Sequence, residues 1–90
     1  ATALQASQGS VSNKNAPQAE AALKAAIQLN QQGTLESRQQ ALQKLDEALK
    51  LYRSDNNLDK AAHTLRLMGN IHTNLGQFQA ALDAYTQALP

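Results

Sequence analysis

The chain has 90 residues, with 8 Lys and Arg against 7 Asp and Glu, a formal net charge of +1 and no cysteine. This length allows one domain, and the balanced charge lacks the basic surface that general nucleic-acid binding requires. No apolar run approaches the roughly 20 residues that span a bilayer. Ala, Leu and Gln dominate and β-branched residues are few, so the composition predicts an all-α fold.

Residues 1–16 are predicted to form a flexible polar leader. Leu4 and Val11 are the only large apolar side chains in this segment, which therefore buries too little apolar surface to offset the entropy of ordering. Two alternatives stay open. The segment lies on the first helix, or residues 1–3 (Ala-Thr-Ala) are the remnant of a signal-cleavage site and the protein is exported. Without such a signal, the cytoplasm is the expected compartment.

Two helices are predicted in the first half of the chain, over residues 17–32 and 35–53. Pro17 suits the first helical position, and Gly33 suits the left-handed conformation that ends many helices. Thr34 is a suitable N-cap for the second helix. The large side chains of this helix recur at helical spacing and predict one apolar face, formed by Leu42, Leu45, Leu49 and Tyr52.

Two further helices are predicted over residues 58–75 and 77–89. The polar loop 54–57 precedes them, with Asn57 as the expected N-cap, and Gly76 separates them. Loops of only a few residues make consecutive helices antiparallel neighbours. The sequence therefore predicts two helix–turn–helix units, an irregular first unit over 17–56 and a second over 57–90.

An internal repeat supports this division. The pairs Ala41-Leu42 and Ala48-Leu49 recur forty residues later as Ala81-Leu82 and Ala88-Leu89. A repeat on this length scale is typical of stacked helical arrays, which bind other proteins along an extended surface.

The second unit resembles a tetratricopeptide repeat. The matching positions are, in order, Leu65, Met68, Gly69, His72, Gly76, Phe78, Ala81, Tyr85, Ala88 and Leu89. His72 and Leu65 depart from the Tyr and Trp that the family usually has. The period of about forty residues is similar to the longer-period variety found in kinesin light chains and bacterial multi-repeat proteins. The resemblance implies a fragment of an α-solenoid that binds a protein or peptide, without a cofactor.

The resemblance comes with an expectation about packing. Gly69 and Ala81 are small enough to let two helix backbones approach closely, while Phe78 and Tyr85 are expected to fill the space between helices. His72 stands at an aromatic position, so we expect a packed, neutral ring with a hydrogen bond.

In the family, the first helix of each unit lines a concave groove. The corresponding residues here are His63, Arg66, Asn70, Thr73 and Asn74 in the second unit, and Leu23 and Ile27 in the first. Arg66 and Asn70 stand four residues apart on one helix face and resemble half of the carboxylate clamp of some family members; the alternative is a solvated face. Leu23 and Ile27 are covered by the leader or a peptide, or are buried because the helix is rotated.

The alternative function is a structural spacer that self-associates through uncovered apolar residues of the last helix, namely Leu82, Tyr85 and Leu89.

Other kinds of site are not supported by the sequence. The spacing of Asp55, Asn57 and Asp59 matches the first ligand positions of a calcium-binding loop, but Lys60 and Arg66 stand where that loop needs Gly and Glu. His63 and His72 point to opposite sides of a helix and cannot share a metal ion. With no nucleophile–base pair or phosphate loop visible, we expect no enzyme activity.

Overall fold

The computed structural model describes residues 11–89, which contain four α-helices and no strand. In chain order the helices are α1 (Ala16–Gln32), α2 (Leu35–Ser54), α3 (Leu58–Asn74) and α4 (Phe78–Ala88). The predicted all-α fold is confirmed, and every helix begins and ends within one residue of its predicted bounds. Of the predicted leader, residues 1–10 lie outside the described part of the chain.

The helix ends follow the predicted capping residues. Thr34 Oγ1 accepts a hydrogen bond from the Ser37 N–H at 2.9 Å, and Ser37 Oγ accepts one from the Thr34 N–H at 3.0 Å, which forms a complete capping box. Asn57 Oδ1 accepts from the Lys60 N–H at 3.2 Å. Gly33 and Gly76 adopt φ angles of 75° and 74°, the left-handed conformation that glycine tolerates best.

The helices pack in sequence, α1 on α2, α2 on α3, and α3 on α4. The interface between α1 and α2 contains small side chains, which let the two helices approach closely. The buried alanines of these helices are Ala19, Ala22, Ala26, Ala41 and Ala48. The large side chains of the core come mainly from α2, and Leu49 and Tyr52 join Ala61 and Leu65 of α3 in one apolar cluster. The second hairpin is thereby fixed to the first.

The segment before α1 is bound to the connection between the two hairpins. The Ser12 N–H donates to the Asp55 carbonyl at 2.8 Å. The backbone N–H and the Nδ2 group of Asn15 donate to Oδ2 and Oδ1 of Asp55, each at 2.9 Å. Asp55 therefore joins the residues before α1 to the end of α2. We call this arrangement the Asp55 clamp.

Gly69 makes room for an aromatic ring. A Cβ atom added at Gly69 would lie 2.6 Å from Cε1 of Tyr85, far inside van der Waals contact. The Tyr85 hydroxyl donates a hydrogen bond to Asn70 Oδ1. Gly69 is therefore closely packed, but the group that approaches it is the ring of Tyr85 and not the backbone of another helix, as was expected.

This contact predicts a change of sign in a double-mutant cycle. Gly69→Ala is expected to be destabilising, since the overlap costs about 1–3 kcal/mol and outweighs the gain of roughly 1 kcal/mol in helix propensity. In a Tyr85→Ala background the overlap is gone, so the same substitution should stabilise the fold. Urea unfolding of the four variants measures both effects. The same sign in both backgrounds would contradict the packing.

The prediction that Phe78 packs between helices is wrong, because its side chain is 68% exposed. Helix α4 buries Ala81 and Ala84, and among residues 11–89 no further helix covers the side that carries Phe78 and Leu82. His72 is half-buried and its Nδ1 lies 2.7 Å from Gln77 Oε1, so the hydrogen bond expected for this ring is present.

Candidate functional site: a groove between α1 and α3

A groove runs between the first helices of the two hairpins. Its volume is about 190 Å³. The lining residues are Ala26, Ile27, Asn30 and Gln31 of α1, Leu45 of α2, and Leu67, Asn70 and Ile71 of α3. Leu45 and Ile71 are buried and, with Ala26 and Ala41, form a second apolar cluster that joins the hairpins. The groove therefore stands on a packed core rather than on loops.

The lining divides into an aliphatic floor and an uncharged polar rim. Ile27 is 41% exposed, although it stands beside the buried Ala26. The polar groups of the lining are the side-chain amides of Asn30, Gln31 and Asn70, and no charged residue takes part. Apolar surface with a few amides suits an uncharged peptide segment, whose backbone offers both donors and acceptors.

The size of the groove limits what it can hold. Sites for small molecules and cofactors commonly enclose about 300–1,000 Å³, which exceeds the 190 Å³ found here. An apolar cavity of about 150 Å³ accommodates a benzene molecule. The groove therefore has room for one large apolar side chain.

Two of the rim amides differ in their bonding. The Oδ1 atom of Asn70 accepts from the Tyr85 hydroxyl, which leaves its Nδ2 group as a donor at the groove. The Oδ1 atom of Asn30 is buried and has no hydrogen-bond partner within residues 11–89. The rim thus combines a donor, the amide NH₂ of Asn70, with an unpaired acceptor, the amide oxygen of Asn30.

The groove contains two of the seven predicted binding residues, Ile27 and Asn70. Leu23 is half-buried and packs against the clusters that join the hairpins. The interpretation that α1 buries its apolar residues therefore holds in part for Leu23, which is partly buried, and is wrong for Ile27, which is 41% exposed.

The other predicted binding residues lie outside the groove lining. The hydroxyl of Thr73 donates to the Gly69 carbonyl at 2.9 Å. His63 and Asn74 are exposed. Arg66 lines a different hollow, so the structure does not bring the predicted Arg66–Asn70 pair together at one site.

Sequence reasoning missed Asn30, Gln31, Leu67 and Ile71. A signal was present, because Ile27, Asn30 and Gln31 are spaced by three and four residues and must share a helix face. These residues stand near the predicted helix end, where polar side chains are expected in any case. Their position in a groove depends on how α3 packs, which the sequence pattern does not specify.

A second hollow, of about 730 Å³, lies where the end of α2 meets the start of α3 and the end of α4. We call it the arginine hollow. Its lining residues are Arg53, Leu58, Asp59, Ala61, Ala62, Leu65, Arg66, Gln87, Ala88 and Leu89. Arg53 Nη2 donates to Gln87 Oε1 at 3.2 Å, a contact that bridges α2 and α4.

The residues that open like a calcium loop have structural roles. Asp55 forms the Asp55 clamp, and Asn57 caps α3. Within residues 11–89 no group of three or more acidic, His or Cys side chains is placed to hold a metal ion. None of the four helices combines the length and apolar character that crossing a bilayer demands.

Comparison of the chain with protein-family models, with curated proteins and with solved structures found no match.

Proposed function

We propose that this chain is a protein–protein interaction module of the tetratricopeptide type, in which the groove between α1 and α3 receives an apolar side chain of a partner. The observation that carries the proposal is the partly exposed Ile27, which lies in a groove with an aliphatic floor and an uncharged polar rim. The proposal includes neither catalysis nor a cofactor.

The expected contribution of the groove to affinity is modest. Burying one Leu-sized side chain contributes about 1.5–3 kcal/mol, whereas a dissociation constant of 1 mM already corresponds to about 4 kcal/mol. A partner must therefore make further contacts beside the groove. Because the groove is built on packed helices, its residues lose little conformational entropy when a partner side chain enters it.

Substitution of Ile27 tests the groove. Peptides selected from a random displayed library against the whole chain are expected to share an aliphatic or aromatic residue with uncharged neighbours. Ile27→Asp should weaken their binding at least about tenfold, since one buried apolar side chain is lost and a charge enters the site. Leu35→Asp is the matched control, because Leu35 is exposed and lies outside the groove. Equal loss of binding in both variants, or none in Ile27→Asp, would refute the proposal.

The alternative, a spacer that self-associates, is favoured by one observation. Phe78 and Leu82 of α4 and Leu89, which follows this helix, are 68%, 58% and 71% exposed, so large apolar side chains are concentrated on this end of the chain. Tyr85 belongs to the same predicted surface but is engaged at Gly69. Sedimentation at increasing protein concentration separates the two functions, because a strict monomer is incompatible with the spacer.

A further inference from the structure

The arginine hollow combines positive charge with an apolar floor. Two arginines from different helices, Arg53 and Arg66, line it, and Asp59 is the only acidic residue of its lining. Its floor contains the buried side chains of Ala61 and Leu65. This site is separate from the groove between α1 and α3, with which it shares no lining residue.

The two arginines retain most of their hydrogen-bonding capacity. Among residues 11–89 the ion pairs are Lys44 with Glu47 and Lys50 with Asp46, and neither arginine takes part in one. A guanidinium has five N–H donors in a planar fork, and Arg53 uses one nitrogen for Gln87. A guanidinium fork that takes part in no ion pair is suited to carboxylate oxygens, which it can bind in a bidentate manner.

The shape of the hollow favours a peptide over a small metabolite. Most of its lining residues are exposed, including Leu58 and Leu89 at its edge, whereas small-molecule sites bury about 70–90% of their ligand. An open trough suits an extended or helical segment that lies along it. The exposed leucines can then contact an aliphatic side chain while the arginines pair with a neighbouring carboxylate.

The leader of the chain itself lacks the complementary charge. Residues 1–10 contain no Asp or Glu, although the Asp55 clamp holds the following segment close to this end of the molecule. Residues 1–10 therefore offer no carboxylate side chain to the two arginines.

We propose that the arginine hollow binds an acidic segment of a partner protein, in which a carboxylate stands next to an aliphatic side chain. The proposal adds a second binding site to the module and does not depend on the groove. It assigns Arg66 a role in charge recognition at a place away from Asn70.

A charge reversal at Arg66 tests this site in the full chain. The probe is a random displayed peptide library, selected in parallel on the wild-type chain, on Arg66→Glu and on Lys24→Glu. Arg66 and Lys24 are both exposed and Lys24 lines neither site, so the control carries the same change of charge. Wild type and Lys24→Glu are expected to enrich peptides with Asp or Glu beside Leu, Ile or Val, and Arg66→Glu should lose this class.

A selected acidic peptide then provides the affinity measurement. Its dissociation constant should rise at least about tenfold in Arg66→Glu, because a charge-assisted hydrogen bond is replaced by repulsion. It should also rise with added salt, which screens exposed charges. Unfolding midpoints equal to wild type would show that the variant is folded.

The outcomes separate the two sites. Loss of the acidic peptide in Arg66→Glu but not in Ile27→Asp supports the arginine hollow. Loss in Ile27→Asp alone places the peptide in the groove and overturns this inference while leaving the proposed function intact. Absence of acidic enrichment, or equal affinity in wild type and Arg66→Glu, also overturns it.

Discussion

Replacing Tyr52 with alanine is expected to destabilise the fold by about 3–5 kcal/mol, the usual cost of removing a large buried aromatic side chain. Tyr52 is 1% exposed and belongs to the apolar cluster that α1, α2 and α3 form together. A chain of this length commonly has a total stability of roughly 5–13 kcal/mol. Urea unfolding followed by circular dichroism should show a much lower midpoint for Tyr52→Ala, or a largely unfolded chain.

Tyr52→Phe is the matched control and should behave in the opposite way. The Tyr52 hydroxyl is buried and has no hydrogen-bond partner within the described residues, so folding removes it from water without compensation. Tyr52→Phe keeps the ring and removes this cost, and it is expected to leave the stability unchanged or raise it by up to about 1 kcal/mol. A loss close to that of Tyr52→Ala would show that the hydroxyl is bonded.

The same residue predicts a dependence of stability on pH. Burial, and next the negative charge of Glu20, raise the pKa of Tyr52 above its ordinary value of 10.0. The folded state therefore holds the phenol proton more tightly than the unfolded state does. This contribution to the free energy of unfolding is constant below pH 10 and decreases as the pH rises from 10 through the folded-state pKa. Tyr52→Phe should unfold less readily than wild type in that alkaline range.

Asp55→Ala is expected to destabilise the fold by about 2–4 kcal/mol. The Asp55 residue is 3% exposed, and its two carboxylate oxygens accept two hydrogen bonds from Asn15. Truncation removes charge-assisted bonds and leaves their donors unpaired at a part-buried position. Urea unfolding measures the loss, and hydrogen exchange of the Asn15 amide should become faster if the start of α1 is released.

Asp59→Ala is the matched control for this change. Asp59 is exposed, lies in the first turn of α3, and should contribute only about 0.5 kcal/mol through the helix dipole. Asp55→Asn keeps one carbonyl oxygen and is expected to lie between the two. Similar losses in Asp55→Ala and Asp59→Ala would mean that the Asp55 clamp is not stabilising.

Local sequence signals predicted the helices well. Thr34, Asn57, Gly33 and Gly76 act through contacts within a few residues of themselves, and such contacts are encoded in short stretches of chain. Even here a detail was missed: Thr34 was predicted as the N-cap, but not the capping box that Ser37 completes with it.

Contacts between distant segments were not predictable in the same way. The Asp55 clamp joins residues forty positions apart, and nothing in the spacing of Asn15 indicates its partner. The exposure of Phe78 and the position of Arg66 depend on which helix faces which, since a helix with apolar residues on several sides can pack in more than one orientation. The sequence therefore predicted where the groove lies, between the first helices of the two hairpins, but only two of the predicted binding residues line it.

The Asp55 clamp and the Arg53–Gln87 hydrogen bond have a joint topological consequence. Ser12 is bound at the α2–α3 connection, and the last turn of α4 is bound to the final turn of α2 beside it. The chain therefore enters and leaves this four-helix unit at neighbouring points. In a longer polypeptide such a unit would be attached at a single place, like a loop insertion, and its removal would leave the flanking segments close enough to rejoin.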